Sequence, residues 1–235
     1  MSKSYMIKHV FFDLDNTLWD HRANAKLTLE QLFDLHNIGQ NYSLRFEDFH
    51  KEYFTINENL WAQIRDGEID KDHLRKHRFY DTFLFFGVDN MELAQKFEDG
   101  FLDQIIEFNV LVAGAKELLI YLRSKGYTLH ILSNGFMEVT NRKCIESGID
   151  RFFTTIISAD EINVRKPQRE IFEYAVQRAN ADPDQSVFIG DDWIADIEGA
   201  LAFGMRAVFF DVFNDGFTAP NVNSVHKLSE IQKLL

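Results

Sequence analysis

The sequence predicts an α/β protein, a parallel sheet covered by helices on both faces, and three observations carry that reading. The run Val10-Phe11-Phe12 is β-branched and aromatic without polar alternation, as in a strand buried on both faces. From Gly114 to the end, short apolar runs alternate with helical patterns, the rhythm of crossovers between parallel strands. Between these regions, after Leu18, about ninety residues keep the i, i+3, i+4 spacing of helices and contain nothing that reads as a strand. That stretch reads as an inserted helical unit, rich enough in aromatic residues to pack a small core of its own.

The first strand ends in Asp13-Leu14-Asp15-Asn16-Thr17. Side chains i and i+2 of a strand share a side, so Asp13 and Asp15 would converge and repel unless a cation stood between them. A polar Asp-Asn turn is the alternative reading. In the helical stretch, residues 22–36 carry Leu27, Leu29, Leu32, Phe33 and Leu35 at helical spacing. Ser43 offers an N-cap to a second helix with Phe46, Phe49, Tyr53 and Ile56. Residues 70–86, closed by Gly87, and 90–106 supply a third and a fourth. Beyond Gly114, helices are expected at 115–125, 136–147, 168–179 and 193–203, and strands at 127–132, 153–158, 186–189 and 206–210.

The chain of 235 residues is long enough for one domain or for a core carrying a smaller insert. Its net charge of -12 is spread along the sequence, which argues against a nucleic-acid polymer as partner and requires a local cation wherever an anionic substrate binds. No apolar run approaches the roughly 20 residues of a membrane span. Met-Ser-Lys-Ser-Tyr-Met leads into the first strand without a signal-like apolar segment, so the expected address is the cytoplasm, with no membrane partner. The single cysteine, Cys144, excludes an internal disulfide and sits in a helical pattern that suggests a buried thiol.

Parallel crossovers place all strand C-termini along one edge, where open sheets bind ligands. Asp13 and Asp15, Ser133-Asn134-Gly135, and Asp191-Asp192 end three of the strands and would meet there, joined by Lys166 before Pro167. Asp13, Asp15 and Asp191 form an oxygen-only, anionic donor set suited to Mg²⁺ and poorly suited to zinc. The Ser133 hydroxyl, the backbone N–H groups of Asn134 and Gly135, and the Lys166 ammonium are donors for a phosphoryl group. With no Walker-type glycine loop and no Ser-His pair in the motifs, the available nucleophile is a carboxylate and an aspartyl-phosphate is the economical intermediate.

Asp13-x-Asp15-x-Thr17, Ser133 after a strand, Lys166-Pro167 and Gly190-Asp191-x4-Asp196 resemble, in order and spacing, the four signature motifs of the haloacid dehalogenase superfamily, and the match spans essentially the whole chain. The helical stretch falls where that superfamily inserts its type 1 cap. The resemblance implies a Rossmann-like core with sheet order 5-4-1-2-3, made of 1–16 and 110–235, and a helical cap at 17–109. It implies that Asp13 is nucleophile and metal ligand, and that Asp15 protonates the leaving oxygen, later activates water, and touches Mg²⁺ through its main-chain carbonyl. Ser133 and Lys166 would hold the phosphoryl group, with Thr17, Asn134 and Gly135 as further substrate contacts and Asp191 completing the metal shell. Asp196 would orient waters or Lys166, and Asp192 is open between a supporting and a solvated role.

Within the superfamily a carboxylate at Asp15 disfavours dehalogenation, whose leaving group needs no proton, and fits a phosphatase of a small-molecule phosphate monoester. The stretches 16–21, Leu60-Trp61 and His77-Arg78-Phe79 resemble the pyrimidine 5'-nucleotidase branch, which implies (deoxy)pyrimidine nucleoside monophosphates as substrates. Trp19 or Phe79 could stack on a base or could be ordinary core, and the loop Arg65-Asp66-Gly67 could reach the site or be a plain turn. A phosphatase of small sugar or carboxylate phosphates, a sugar-phosphate mutase and a catalytically silent binding domain are the alternatives. The crossings near Thr17 and residues 112–114 would serve as hinges of a moving cap.

Overall fold

A computed structural model describes residues 6–235; residues 1–5, expected to run straight into the first strand, lie outside the described residues. The chain forms two compact units, Met1–His21 with Asn109–Leu235, and Arg22–Phe108.

The first unit is built on a parallel sheet. Its strands are β1 (His9–Phe12), β2 (Thr128–Ser133), β3 (Phe153–Ser158), β4 (Ser186–Gly190), β5 (Arg206–Phe210) and β6 (Asn223–Val225), in the spatial order β3-β2-β1-β4-β5-β6. Read from the other edge, this is the expected 5-4-1-2-3 with a sixth strand added beside β5. That strand was missed because it has three residues, of which only Val225 is buried. Phe12 lies level with Ile131 of β2 and Ile189 of β4, so β1 stops short of both neighbours, which continue to Ser133 and Gly190. Their apolar side chains meet the covering helices in a core that includes Phe11, Leu132, Phe172, Phe188, Ile197 and Phe209. Burial on both faces explains why these strands read as continuous apolar runs.

The second unit contains α1 (His21–Leu35, whose first residue belongs to the first unit), α2 (Ile38–Tyr42), α3 (Phe46–Arg65), α4 (Lys71–Phe85) and α5 (Met91–Gln104). Asp70 and Asn90 cap α4 and α5, their side chains accepting from the backbone N–H groups of His73 and Leu93. The expectation for Ser43 needs correction. Residues after Asn37 close an additional short helix, and Ser43 follows it in a left-handed conformation at φ 55°, leaving extended Arg45 to precede α3. Aromatic rings fill the interior: Tyr53 stacks on Phe79 at 4.9 Å, and Phe97 packs tilted and Phe101 edge-on against Phe79. Arg78 and Glu98 are buried together, joined by two hydrogen bonds of 2.6 and 2.9 Å.

The remaining helices belong to the first unit: α6 (Ala115–Ser124), α7 (Met137–Glu146), α8 (Arg169–Ala179) and α9 (Gly199–Phe203). The helix expected over 193–203 divides into a π-helical segment, Trp193–Glu198, running into α9. Among the described residues no helix is long and apolar enough to cross a membrane.

Candidate active site

The strand pairing ends at Phe12, although Asp13 N–H still donates to Ile189 O at 2.9 Å. The chain then folds back on itself: Asn16 takes a positive φ of 61°, and its N–H donates to Trp19 O at 2.7 Å. Where the strand stops, each aspartate finds its own lysine. Lys166 Nζ donates to Asp13 Oδ1 and Lys143 Nζ to Asp15 Oδ1, both at 2.6 Å. Each carboxylate thus has a cation of its own, although the charge of Asp15 still raises the pKa of Asp13.

Lys166 also donates to Asp196 Oδ1 at 2.6 Å, so one buried ammonium bridges two carboxylates. Asp13, Asp191 and Asp196 offer oxygens that all lie within 4.8 Å of one another. This grouping differs from the anticipated donor set in its third side chain, because Lys143 draws the Asp15 carboxylate away while the π-helical turn brings Asp196 in. Gly190 makes that approach possible, since a Cβ there would stand 2.1 Å from Asp196 Oδ2. Asp192 caps the π-helical turn, accepting from Ala195 N–H, which gives it a supporting role. Thr17 is fully buried and donates its hydroxyl to Asp191 Oδ1 at 2.8 Å.

The electrostatics follow from this crowding. Loss of solvent raises the pKa of Asp13 against the pull of Lys166. Asp191 is pushed well above the usual carboxylate range, first by desolvation and then by Asp13 and Asp196. Asp196 is raised chiefly by burial, with Lys166 opposing. Asp15 goes the other way: desolvation would raise it, but Lys143 and then His21 outweigh that and hold it below its ordinary value. Lys166 is driven up, its burial outweighed by Asp13 and Asp196. Three crowded carboxylates, of which only Asp13 and Asp196 hold the Lys166 ammonium, have spare negative charge and only oxygen donors, which fits a hard dication such as Mg²⁺.

On the other side of Asp13 lies the end of β2. Ser133 is buried, and its Oγ accepts from Gly135 N–H at 3.0 Å. The Asn134 side chain holds the main chain of Lys166 from both sides, Nδ2 donating to Lys166 O at 3.0 Å and Oδ1 accepting from Lys166 N–H at 2.8 Å. Ser158, at the end of β3, secures the loop by donating to Gly135 O at 2.8 Å. Sequence reasoning passed over both Ser158 and Lys143. Lys143 had a legible signal: it shares one face of α7 with Val139, Thr140 and Cys144, all buried. Cys144 is enclosed as expected, its thiol pushed up to about 12 by burial and then by Asp15.

Trp19 and Phe79 are both fully buried, so core packing, not base stacking, describes them here. Arg65 ends α3 and pairs with the adjacent Asp66 at 3.0 Å.

Comparison with known proteins agrees with these features. The family model described as haloacid dehalogenase-like hydrolase matches residues 7–204. The chain is 30% identical to the glyceraldehyde 3-phosphate phosphatase of Methanothermobacter thermautotrophicus, covering 96% of this chain and 100% of that protein. It is 27% identical to the pyrimidine 5'-nucleotidase YjjG of Escherichia coli (strain K12), over 94% and 96% of the two chains. Among solved structures, a protein named only as the HAD-hydrolase YfnB from Bacillus subtilis, bound to magnesium, superposes with a TM-score of 0.88 at 26% identity, covering 98% of this chain and 99% of that one.

Proposed function

This chain belongs to the haloacid dehalogenase-like hydrolase family, and on that footing we propose that it is a Mg²⁺-dependent phosphomonoester hydrolase that works through an aspartyl-phosphate on Asp13. The observation that carries the reading is the Asp13 carboxylate held by Lys166 between the acidic group and the Ser133 loop. Asp13, Asp191 and Asp196 would hold Mg²⁺ by their side chains, with Asp15 contributing its main-chain carbonyl. Bound there, the ion supplies charge neutralisation for the phosphoryl oxygens.

An Asp13 oxygen bonds to phosphorus as the ester P–O bond breaks, and Asp15, which Lys143 and His21 favour as the carboxylate, enters this step in its minor protonated form and gives that proton to the leaving oxygen. Water then bonds to phosphorus, the Asp13 O–P bond breaks with its electron pair returning to the carboxylate, and Asp15 takes the proton. Lys166 keeps Asp13 oriented and, with the Ser133 hydroxyl and the backbone N–H of Asn134, receives the phosphoryl oxygens, while the Gly135 N–H holds the Ser133 oxygen in place. The helical unit, Arg22–Phe108, acts as the cap that selects the leaving group, a span shorter than the expected 17–109 because Thr17 to His21 belong to the sheet unit.

For the substrate we favour (deoxy)pyrimidine nucleoside monophosphates, supported by the likeness to YjjG across nearly the whole chain. A small sugar phosphate is the second reading, supported by the glyceraldehyde 3-phosphate phosphatase. A panel of deoxyribonucleoside monophosphates, glyceraldehyde 3-phosphate and phosphoglycolate at equal concentration with Mg²⁺ decides between them, and nucleotides turning over no faster than the rest would defeat the first. The chemistry has its own test. Asp13→Asn should lower p-nitrophenyl phosphate turnover by about a thousandfold or more; full turnover in that variant removes Asp13 as nucleophile.

A further inference from the structure

A buried lysine that belongs to none of the family-like motifs stands against the proton-transfer carboxylate. Lys143 is 4% exposed and lies on the inward face of α7, the helix that follows the Ser133 loop. Its ammonium has two neighbours that account for its burial, Asp15 Oδ1 at 2.6 Å and the ring of Trp19, whose centre is 4.4 Å away. Trp19 is itself fully buried and tied into the chain reversal, pairing with Asp15 on one side and Leu111 on the other. The ammonium therefore has little freedom to move.

The consequence falls on the other oxygen of Asp15. Oδ2 has no hydrogen-bond partner among the described residues, and it faces the phosphoryl loop: a Cβ built on Gly135 would lie 3.4 Å from it and 3.1 Å from Ser133 Oγ. One oxygen is fixed by a cation and the other stays open beside the place where the phosphoryl group would sit. We propose that Lys143 is a positioning residue for hydrolysis of the aspartyl-phosphate: by holding Asp15 Oδ1 it presents Oδ2 to the attacking water. The proposal rests on the reading of Asp15 as the acid–base group. In this step the water oxygen bonds to phosphorus, the Asp13 O–P bond breaks with its electrons returning to Asp13, and the water proton passes to Asp15 Oδ2. Expulsion of a good leaving group such as p-nitrophenolate needs no proton, so formation of the intermediate is spared.

The test is rapid-quench kinetics of full-length Lys143→Met with p-nitrophenyl phosphate and Mg²⁺, beside wild type and Asp15→Asn. Misplacing a proton acceptor by about 1 Å costs on the order of 100-fold. Breakdown of the intermediate in Lys143→Met should fall about 10- to 100-fold, with formation changed only a few-fold. The expected record is a burst approaching one p-nitrophenolate per site, with phosphate covalently trapped on the protein. A merely structural lysine would lower both steps together and give no burst, which overturns the proposal. A burst in Asp15→Asn without one in Lys143→Met overturns the role of Lys143 alone. No burst in Asp15→Asn overturns the acid–base reading and the proposal with it. Should Lys143→Met fail to fold, Lys143→Arg decides: its planar fork engages both carboxylate oxygens, so the same burst is expected, and wild-type kinetics would overturn the proposal.

Discussion

Adding one methyl group at Gly190 tests the geometry of the acidic site more sharply than removing any carboxylate. In Gly190→Ala the new Cβ would stand 2.1, 2.4 and 2.7 Å from Oδ2, Cγ and Cβ of Asp196, where real contacts essentially never fall below 3.0 Å. Neither partner moves freely. Gly190 is the buried last residue of β4, paired with Phe209, and Asp196 is anchored through Oδ1 to Lys166 at 2.6 Å and through Oδ2 to Asp192 N–H at 3.1 Å. The carboxylate has to retreat by roughly 1 Å, the scale at which an overpacked core loses about 1–3 kcal/mol. For a chain of this size, that lowers the melting temperature by about 2–4 °C per kcal/mol. The same retreat loosens the bridge that orients Lys166 against Asp13, and a displacement of about 1 Å in a catalytic constellation costs on the order of 100-fold in rate. Calorimetry and p-nitrophenyl phosphate turnover with saturating Mg²⁺ measure both effects. Wild-type melting and turnover in Gly190→Ala would refute the reasoning, because they would mean that Asp196 is not held against the end of β4.

Two further predictions concern stability. His130, fully buried on β2, stacks on Phe11 and hydrogen-bonds to His9 and Thr155, and burial followed by His9 lowers its pKa from 6.5 to about 4. The folded protein holds it neutral while the unfolded chain takes up a proton below about pH 6.5, so its contribution is complete above that pH and is lost as pH falls toward 4. The loss amounts to about 3 kcal/mol at most; the stability difference between wild type and His130→Gln, followed from pH 7 to pH 4 by denaturant unfolding, should shrink by that order, and a flat difference contradicts it. In the helical unit, Glu98→Leu strips buried Arg78 of its two hydrogen bonds and should cost about 3–5 kcal/mol. The double change Arg78→Met with Glu98→Leu should recover most of that loss, and urea titrations that find the double no better than the single would count against an uncompensated charge as the cause.

The parts of the site legible in the sequence are those that end a strand or stand in a motif. Asp13, Ser133 and Asp191 each follow a continuous apolar run, and a parallel sheet brings such ends to one edge, so their meeting followed from pattern and topology. Lys143 escaped because a lysine in an amphipathic helix ordinarily reads as solvent-facing, and only its phase with Val139, Thr140 and Cys144 reveals the burial. Asp196 could be read as a neighbour of Lys166, but its closeness to Asp191 depends on a π-helical turn that leaves no periodic signature. Trp19 was ambiguous for a different reason. A large aromatic beside a catalytic loop fits either a ligand face or a core, and the ammonium of Lys143 packed on its ring, with no exposed surface remaining, decides for the core.

Charge balance connects the acidic character of the chain to its proposed chemistry. Among the described residues, Asp13, Asp15, Asp191 and Asp196 have Lys143 and Lys166 as lysine partners, with His21 beside Asp15, and without a cation burial and crowding raise the pKa values of Asp13, Asp191 and Asp196, which favours their holding protons. Asp15 is exempt because it has a lysine of its own. A dication entering among the other three displaces those protons, so its affinity rises with pH across the range in which they are held. The site then comes close to neutral before a phosphate dianion arrives, in a protein whose net charge of -12 would otherwise repel it. On this argument the metal is needed for substrate to bind as well as to react, and the separate Lys143–Asp15 pair keeps the proton acceptor out of that exchange.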